Sequence, residues 1–175
     1  MQWHQLKRPR FFSGQVLTDQ DLRDQQEYFL ARLRLHNRFL HGWGVVAGLT
    51  VKLDGGDTVV VQPGLAIDCA GNELVLEAEA RLPIAGDYGR QCVALGYVEV
   101  ETDLAPSTEG GVECSRIKES VSVELLSQNP GANHQGMGPG TPGCGQSHPL
   151  CLATLGRRGQ RWRVVSRLGR PGSRR

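Results

Sequence analysis

Aromatic side chains are scarce in this chain: three tryptophans, three tyrosines and four phenylalanines in 175 residues. A modest, mainly aliphatic core follows. No run of 18 apolar residues occurs, so no segment is long and apolar enough for a membrane-spanning helix. The basic stretch Met1–Arg10 leads into no apolar stretch of the kind a secretory signal carries, and synthesis in the cytoplasm is expected. Enzyme signatures are missing too: there is no phosphate-binding loop, no strand followed by a glycine-rich dinucleotide turn, and no nucleophile elbow. No catalytic residue is assigned, and an enzyme is not expected.

Acidic residues are lacking from Leu152 to Arg175, where eight arginines fall. Such a tail could meet nucleic acid or an acidic protein surface. A solvated terminus accounts for it more simply, and nucleic acid is not the expected partner.

What remains is a globular composition, with 39% apolar and 22% charged residues and a net charge of +2. The 23 glycines and 9 prolines lower the apolar share and gather in connecting segments. The length fits one domain, or one domain plus an extension.

A helix start is strongly marked. Thr18 can cap it through its hydroxyl, Asp19 and Asp21 place negative charge in the first turn, and Leu17 can pack on Leu22 as a staple. The helix is expected from about Asp19 to Leu40, ending at His41-Gly42-Trp43-Gly44. Leu22, Gln26, Phe29, Leu33, His36 and Leu40 recur in steps of four and three and form one stripe. Gln26 and His36 are the polar members, of the type that fixes register in a helical seam. The same stripe could instead pack on the chain's own sheet.

After Gly44 the period changes to two. Strands are expected at 45–51 (broken by Gly48), 58–62, 65–68, 73–77, 91–101, 116–126, 151–155 and 161–165, with a hairpin at Asp54-Gly55-Gly56-Asp57. About eight short strands argue for a sandwich or barrel-like body. The fold class is therefore α+β: a long N-terminal helix, then a mainly antiparallel β body. The division reads 1–44 for lead-in and helix, 45–126 for the β body, 127–150 for a Gly/Pro-rich loop, and 151–175 for terminal strands and the Arg-rich tail.

The chemistry-bearing residues are few. Glu99, Glu101 and Asp103 could form a cation site, but alternation with Val98 and Val100 is what a half-solvated strand shows. The five cysteines are an odd number without an export signal, so reduced thiols are the simplest reading, with Cys69 and Cys92 as small core residues. Cys144, His148 and Cys151 lie within eight residues, and Cys114 or His134 could complete a zinc set. The gap between the two cysteines exceeds the usual knuckle and no second knuckle exists, so a metal is possible but not favoured; a Cys144–Cys151 disulfide is the oxidised alternative. Trp43 between Gly42 and Gly44 reads as a core anchor at the helix–strand junction. Trp162 between two arginines has the look of a nucleic-acid strand, yet strand alternation explains it.

Phe11-Phe12-Ser13-Gly14-Gln15-Val16-Leu17-Thr18 with Asp21-Leu22, followed by Leu35-His36-Asn37-Arg38-Phe39-Leu40-His41-Gly42-Trp43-Gly44-Val45-Val46 and Gly48-Leu49, resembles a signature of small proteins encoded beside phage-tail and contractile-injection-system baseplate and fibre components. The stretch from Val61 to Val75 resembles a β-turn unit of tail-fibre and baseplate-attachment modules. The likeness covers residues 8–126, most distinctly 11–77. It implies a non-catalytic virion or injection-particle component, symmetric and with a trimer favoured, that contacts baseplate, fibre or tube subunits. The helix stripe is then the expected oligomer or partner interface, coiled-coil-like in spacing. A carbohydrate- or surface-binding β module is the first alternative, and a zinc-stabilised structural protein the second.

Overall fold

Thr18 begins the helix as its sequence requires. Its hydroxyl accepts the Asp21 N–H at 3.2 Å while the Asp21 carboxylate accepts the Thr18 N–H at 3.0 Å, a complete capping box. Helix α1 spans Asp19–His36, 18 residues, about 27 Å at the usual rise. The helical run ends where expected, at His41 before Gly42, but its last turn, Asn37–His41, is π-helical. The Gly42 N–H reaches the Asn37 carbonyl at 2.9 Å, and Gly42, at φ +81°, releases the chain there. The computed structural model describes residues 6–85, 89–108, 110–131, 134, 143–159 and 161–168. Much of the expected 127–150 loop, and the tail from 169 on, lie outside the described residues.

The remainder is antiparallel sheet, which makes the chain α+β with a β body. Strands β1 (Gly44–Gly48), β4 (Gly64–Ile67) and β5 (Glu73–Leu76) form one sheet in the order β1-β4-β5. Strands β2 (Val51–Asp54), β3 (Thr58–Val61) and β6 (Ala80–Pro83) form a second in the order β2-β3-β6. Strands β7 (Arg90–Pro106), β8 (Val112–Leu126), β9 (Leu150–Arg158) and β10 (Arg161–Arg167) form the third, ordered β10-β9-β7-β8.

The expected hairpin is present, with Asp54 opposite Thr58. The break expected at Gly48 within 45–51 is present: Gly48 and Leu49 both turn at positive φ, and the first half pairs with β4 and the second with β3. Strand β6 was not expected from the sequence: among the described residues it pairs only with β3, and it ends at Pro83, a residue tolerated at such an edge.

Side chains from all three sheets meet in one core, where Val59, Val61, Leu74, Val93, Leu95 and Leu155 are fully enclosed. Cys92 and Cys151 form a disulfide between β7 and β9, with α-carbons 5.6 Å apart. This corrects the all-reduced reading, the placement of Cys92 as a plain core thiol, and the alternative pairing of Cys144 with Cys151: neighbouring strands, not neighbouring sequence, set the partner. Beyond the core, β7 and β8 continue together as a two-stranded ribbon, paired out to Pro106 and Val112. Every residue from Val112 to Glu119 on that ribbon is exposed. Among the described residues no helix is long and apolar enough to cross a membrane.

Candidate functional site

The stripe read from helical spacing lies on the outside of the molecule. Leu22, Gln26, Phe29, Leu33, His36 and Leu40 are all exposed, and no residue of α1 is buried. Leu22, Phe29, Leu33 and Leu40 keep 54%, 59%, 47% and 56% of their surface, unusual for four large apolar groups on one element. The lead-in extends the apolar surface through Phe12, Val16 and Leu17, which are also exposed. The π-turn brings together two histidines five residues apart, with His36 Nε2 and His41 Nε2 at 3.3 Å. An ordinary helical turn would have set them on different faces.

Among the described residues, the helix is anchored at its C-terminal end. Asn37 is buried and donates to the Gly71 carbonyl at 3.0 Å and to Glu73 Oε1 at 3.3 Å. Gly71 sits directly beneath the backbone of Arg34, so close that a Cβ there would strike the Arg34 carbonyl. Trp43 is buried in the core between two buried glycines, Gly42 and Gly44, in the place expected of a junction anchor.

Arg34 also reaches Glu99 at the base of the ribbon, 3.7 Å away. Glu99 stands directly opposite Glu119, and the Tyr97 hydroxyl donates to both, at 2.8 and 3.0 Å. Partial burial, followed by these two carboxylates, pushes the Tyr97 phenol above its ordinary value. Hydrogen bonding and Arg34 thus offset a like-charge pair that would otherwise weaken the ribbon. Glu101 and Asp103 lie further out on the same strand and do not join Glu99 in a metal-holding group among the described residues.

Below the junction the chain collects sulfur and imidazole. Cys69, His134, Cys144 and His148 place their ligand atoms within 4.8 Å of one another. Cys69 is fully buried in the turn between β4 and β5. That turn is fixed by Asp68, whose carboxylate accepts the N–H groups of Ala70 and Asn72 at 2.9 and 2.8 Å, the Asn72 amide at 2.8 Å and the Ser147 hydroxyl at 3.0 Å. His134 Nδ1 lies 3.1 Å from Cys69 Sγ, and the His134 ring stands edge-on to His148 at 4.4 Å and to Trp43 at 5.7 Å. Burial pushes the Cys69 thiol up to about 12, with the neighbouring Cys144 and Asp68 as lesser influences. Burial, then His148, holds the His134 imidazole below its usual value, which favours the neutral, lone-pair form.

Of the sulfur and imidazole candidates drawn from the sequence, Cys144, His148 and His134 are brought together. Cys114 and Cys151 are not, and both are corrected here. Cys114 is exposed on the outer ribbon, and Cys151 is bonded to Cys92. The member of this cluster that sequence reasoning missed is Cys69, which reads as a small core residue because it follows a buried strand. Its signal was the polar turn Asp68-Cys69-Ala70-Gly71-Asn72 around it, where a core thiol has no need of such company.

No protein-family model matches the chain, and no characterised protein matches it by sequence. Solved structures do match its fold. A chain of the type VI secretion system TssK–TssF–TssG baseplate subcomplex aligns over 94% of this chain with 13% identity and a TM-score of 0.50. The crystal structure of TssK aligns over 91% with 12% identity and a TM-score of 0.49, and a chain of the type VI baseplate complex over 92% with 14% identity and a TM-score of 0.45. The chain spans 61%, 41% and 58% of the lengths of those three.

Proposed function

We propose that this chain is a non-catalytic assembly subunit of a contractile injection particle, in a phage tail or a related secretion baseplate, and that the outer face of α1 is its joining surface. The observation that carries the reading is the uncovered stripe Leu22, Phe29, Leu33 and Leu40 on a helix held, among the described residues, at its C-terminal end. Large apolar groups in one row are covered in the working state of a protein, and here the β body does not cover them. The partner is a symmetric copy, a trimer by preference, or another baseplate, fibre or tube subunit. The fold shared with a chain of a baseplate subcomplex supports this reading.

The glycan-binding alternative asks for exposed aromatics on one loop face. Tyr97 is engaged with Glu99 and Glu119, Trp162 is packed against the core, and Tyr88 lies outside the described residues. No described feature favours that alternative.

Light scattering of the purified chain at micromolar concentration tests the self-assembly form. A multi-subunit mass that falls to a monomer in Phe29→Asp/Leu33→Asp is the expected result. A wild-type monomer, or an oligomer indifferent to the double change, counts against the helix as the self-contact. Titration against purified baseplate, fibre and tube subunits tests the other form, with loss of binding in the same variant expected.

A further inference from the structure

We propose that Cys69, His134, Cys144 and His148 hold one tetrahedral metal ion, zinc by its chemistry, where the β4–β5 turn meets the segment that leads into β9. This site is independent of the assembly role and stands on the geometry of the four side chains.

The spacing is the first argument. Zinc bonds of about 2.3 Å to sulfur and about 2.0–2.1 Å to nitrogen imply ligand-to-ligand edges of about 3.3–3.8 Å in a tetrahedron. The four atoms already lie within 4.8 Å of each other, and Cys69 Sγ to His134 Nδ1 is 3.1 Å, so closure needs shifts of side chains only.

His148 supplies the second. Its Nδ1 is 3.1 Å from the Pro149 carbonyl, a contact that fixes the proton on that nitrogen. Its Nε2 is left as a bare acceptor, buried and without any hydrogen-bond partner. An imidazole of this cluster that donates one N–H to a backbone carbonyl and keeps its other nitrogen buried and unpartnered has the outer support typical of a metal ligand. Cys144 is supported in a comparable way, its sulfur accepting the Gln146 N–H at 3.4 Å.

The backbone is shaped for the approach. Gly143 turns at φ +69°, and a Cβ there would meet Cys69 Sγ and Trp43, so only glycine lets Cys144 come this near Cys69. Ser147, in the same short stretch, is tied to Asp68 beside Cys69.

The donor set then selects the ion. Two thiolates and two neutral imidazoles suit zinc and disfavour the oxygen-seeking calcium and magnesium. Two thiolates also cancel the charge of a dication in a partly buried place. Four protein ligands leave no open position, so the ion is structural and replaces the apolar anchors that residues 127–149 do not offer.

Elemental analysis of the full chain, purified with reductant and without chelator, gives the test. One zinc per chain is expected, retained in Cys114→Ser. Cys144→Ser and His148→Ala are each expected to weaken retention by at least about tenfold, the loss that removal of even a supporting partner produces. Should those variants fail to fold, the wild-type chain reloaded with cobalt(II) reports directly: intense tetrahedral ligand-field bands with thiolate charge transfer are expected. Zinc-free protein with both thiols open to alkylation, a Cys69–Cys144 disulfide, undiminished zinc in Cys144→Ser, or a weak octahedral cobalt spectrum would each overturn the proposal.

Discussion

Leu74 and Leu33 are the same residue type in opposite circumstances. Leu74, on β5, has no surface left to solvent, whereas Leu33, on α1, keeps 47%. The β body closes over its own apolar groups from three sheets, and the helix, held at one end, closes over none. One molecule therefore carries two kinds of apolar surface: one consumed by folding, the other still available. Stability should be sensitive to the first and association to the second.

The largest effect that would sharpen this contrast is expected in the core. Leu74→Ala or Leu95→Ala should lower unfolding stability by about 2–5 kcal/mol in urea titrations of the monomer. Phe29→Ala, on the helix, should change the same quantity by no more than about 0.5 kcal/mol. Equal losses at Phe29 and Leu74 would erase the distinction, since Phe29 would then be packed in the folded chain.

The joint between the two regions comes next. Asn37→Ala removes hydrogen bonds to the Gly71 carbonyl and Glu73 and leaves the buried carbonyl bare, with an expected loss of about 1–3 kcal/mol in thermal melts. A loss confined to helix protection, with the body melting unchanged, would show the two regions to be thermodynamically separate.

Smaller still is the helix start. Thr18→Ala should cost about 1 kcal/mol of local helix stability, read as faster amide exchange at residues 19–22 with body amides unmoved. Acidification probes the same cap. The Thr18 hydroxyl and N–H hold the Asp21 carboxyl below its ordinary 3.8. A lowered folded value means the contribution is complete above the unfolded value and is lost as the pH falls through the folded one. First-turn amides should therefore lose protection below about pH 3.8, before those of β7 and β9.

The legible parts of the fold were those with a strong local rule. Thr18 and Asp21 dictate a helix start whatever surrounds them, and Asp54-Gly55-Gly56-Asp57 dictates a hairpin. Short buried strands, such as β3 with Val59, Val60 and Val61 all enclosed, and the half-buried β5, announced themselves by content. The outermost parts of β7 and β8, Thr102–Pro106 and Val112–Ser115, did not: the side chains from Val112 to Ser115 are all exposed, and pairing holds the two segments extended. The π-turn was likewise illegible, because it depends on Asn37 being pulled toward Gly71, 34 residues away. The Cys/His cluster was half legible. Cys144 and His148 are near neighbours in sequence, but Cys69 reaches them only through the fold, and the pull of Cys92 on Cys151 could not be read without the β7–β9 pairing.

The bond between Cys92 and Cys151 spans 59 residues of chain, including all of β8 and the glycine- and proline-rich stretch before β9. A protease that clips the polypeptide once anywhere in that span yields two fragments that still migrate as one species on a denaturing gel, and separate only when a reductant is added. Such a nick would not by itself release the severed piece.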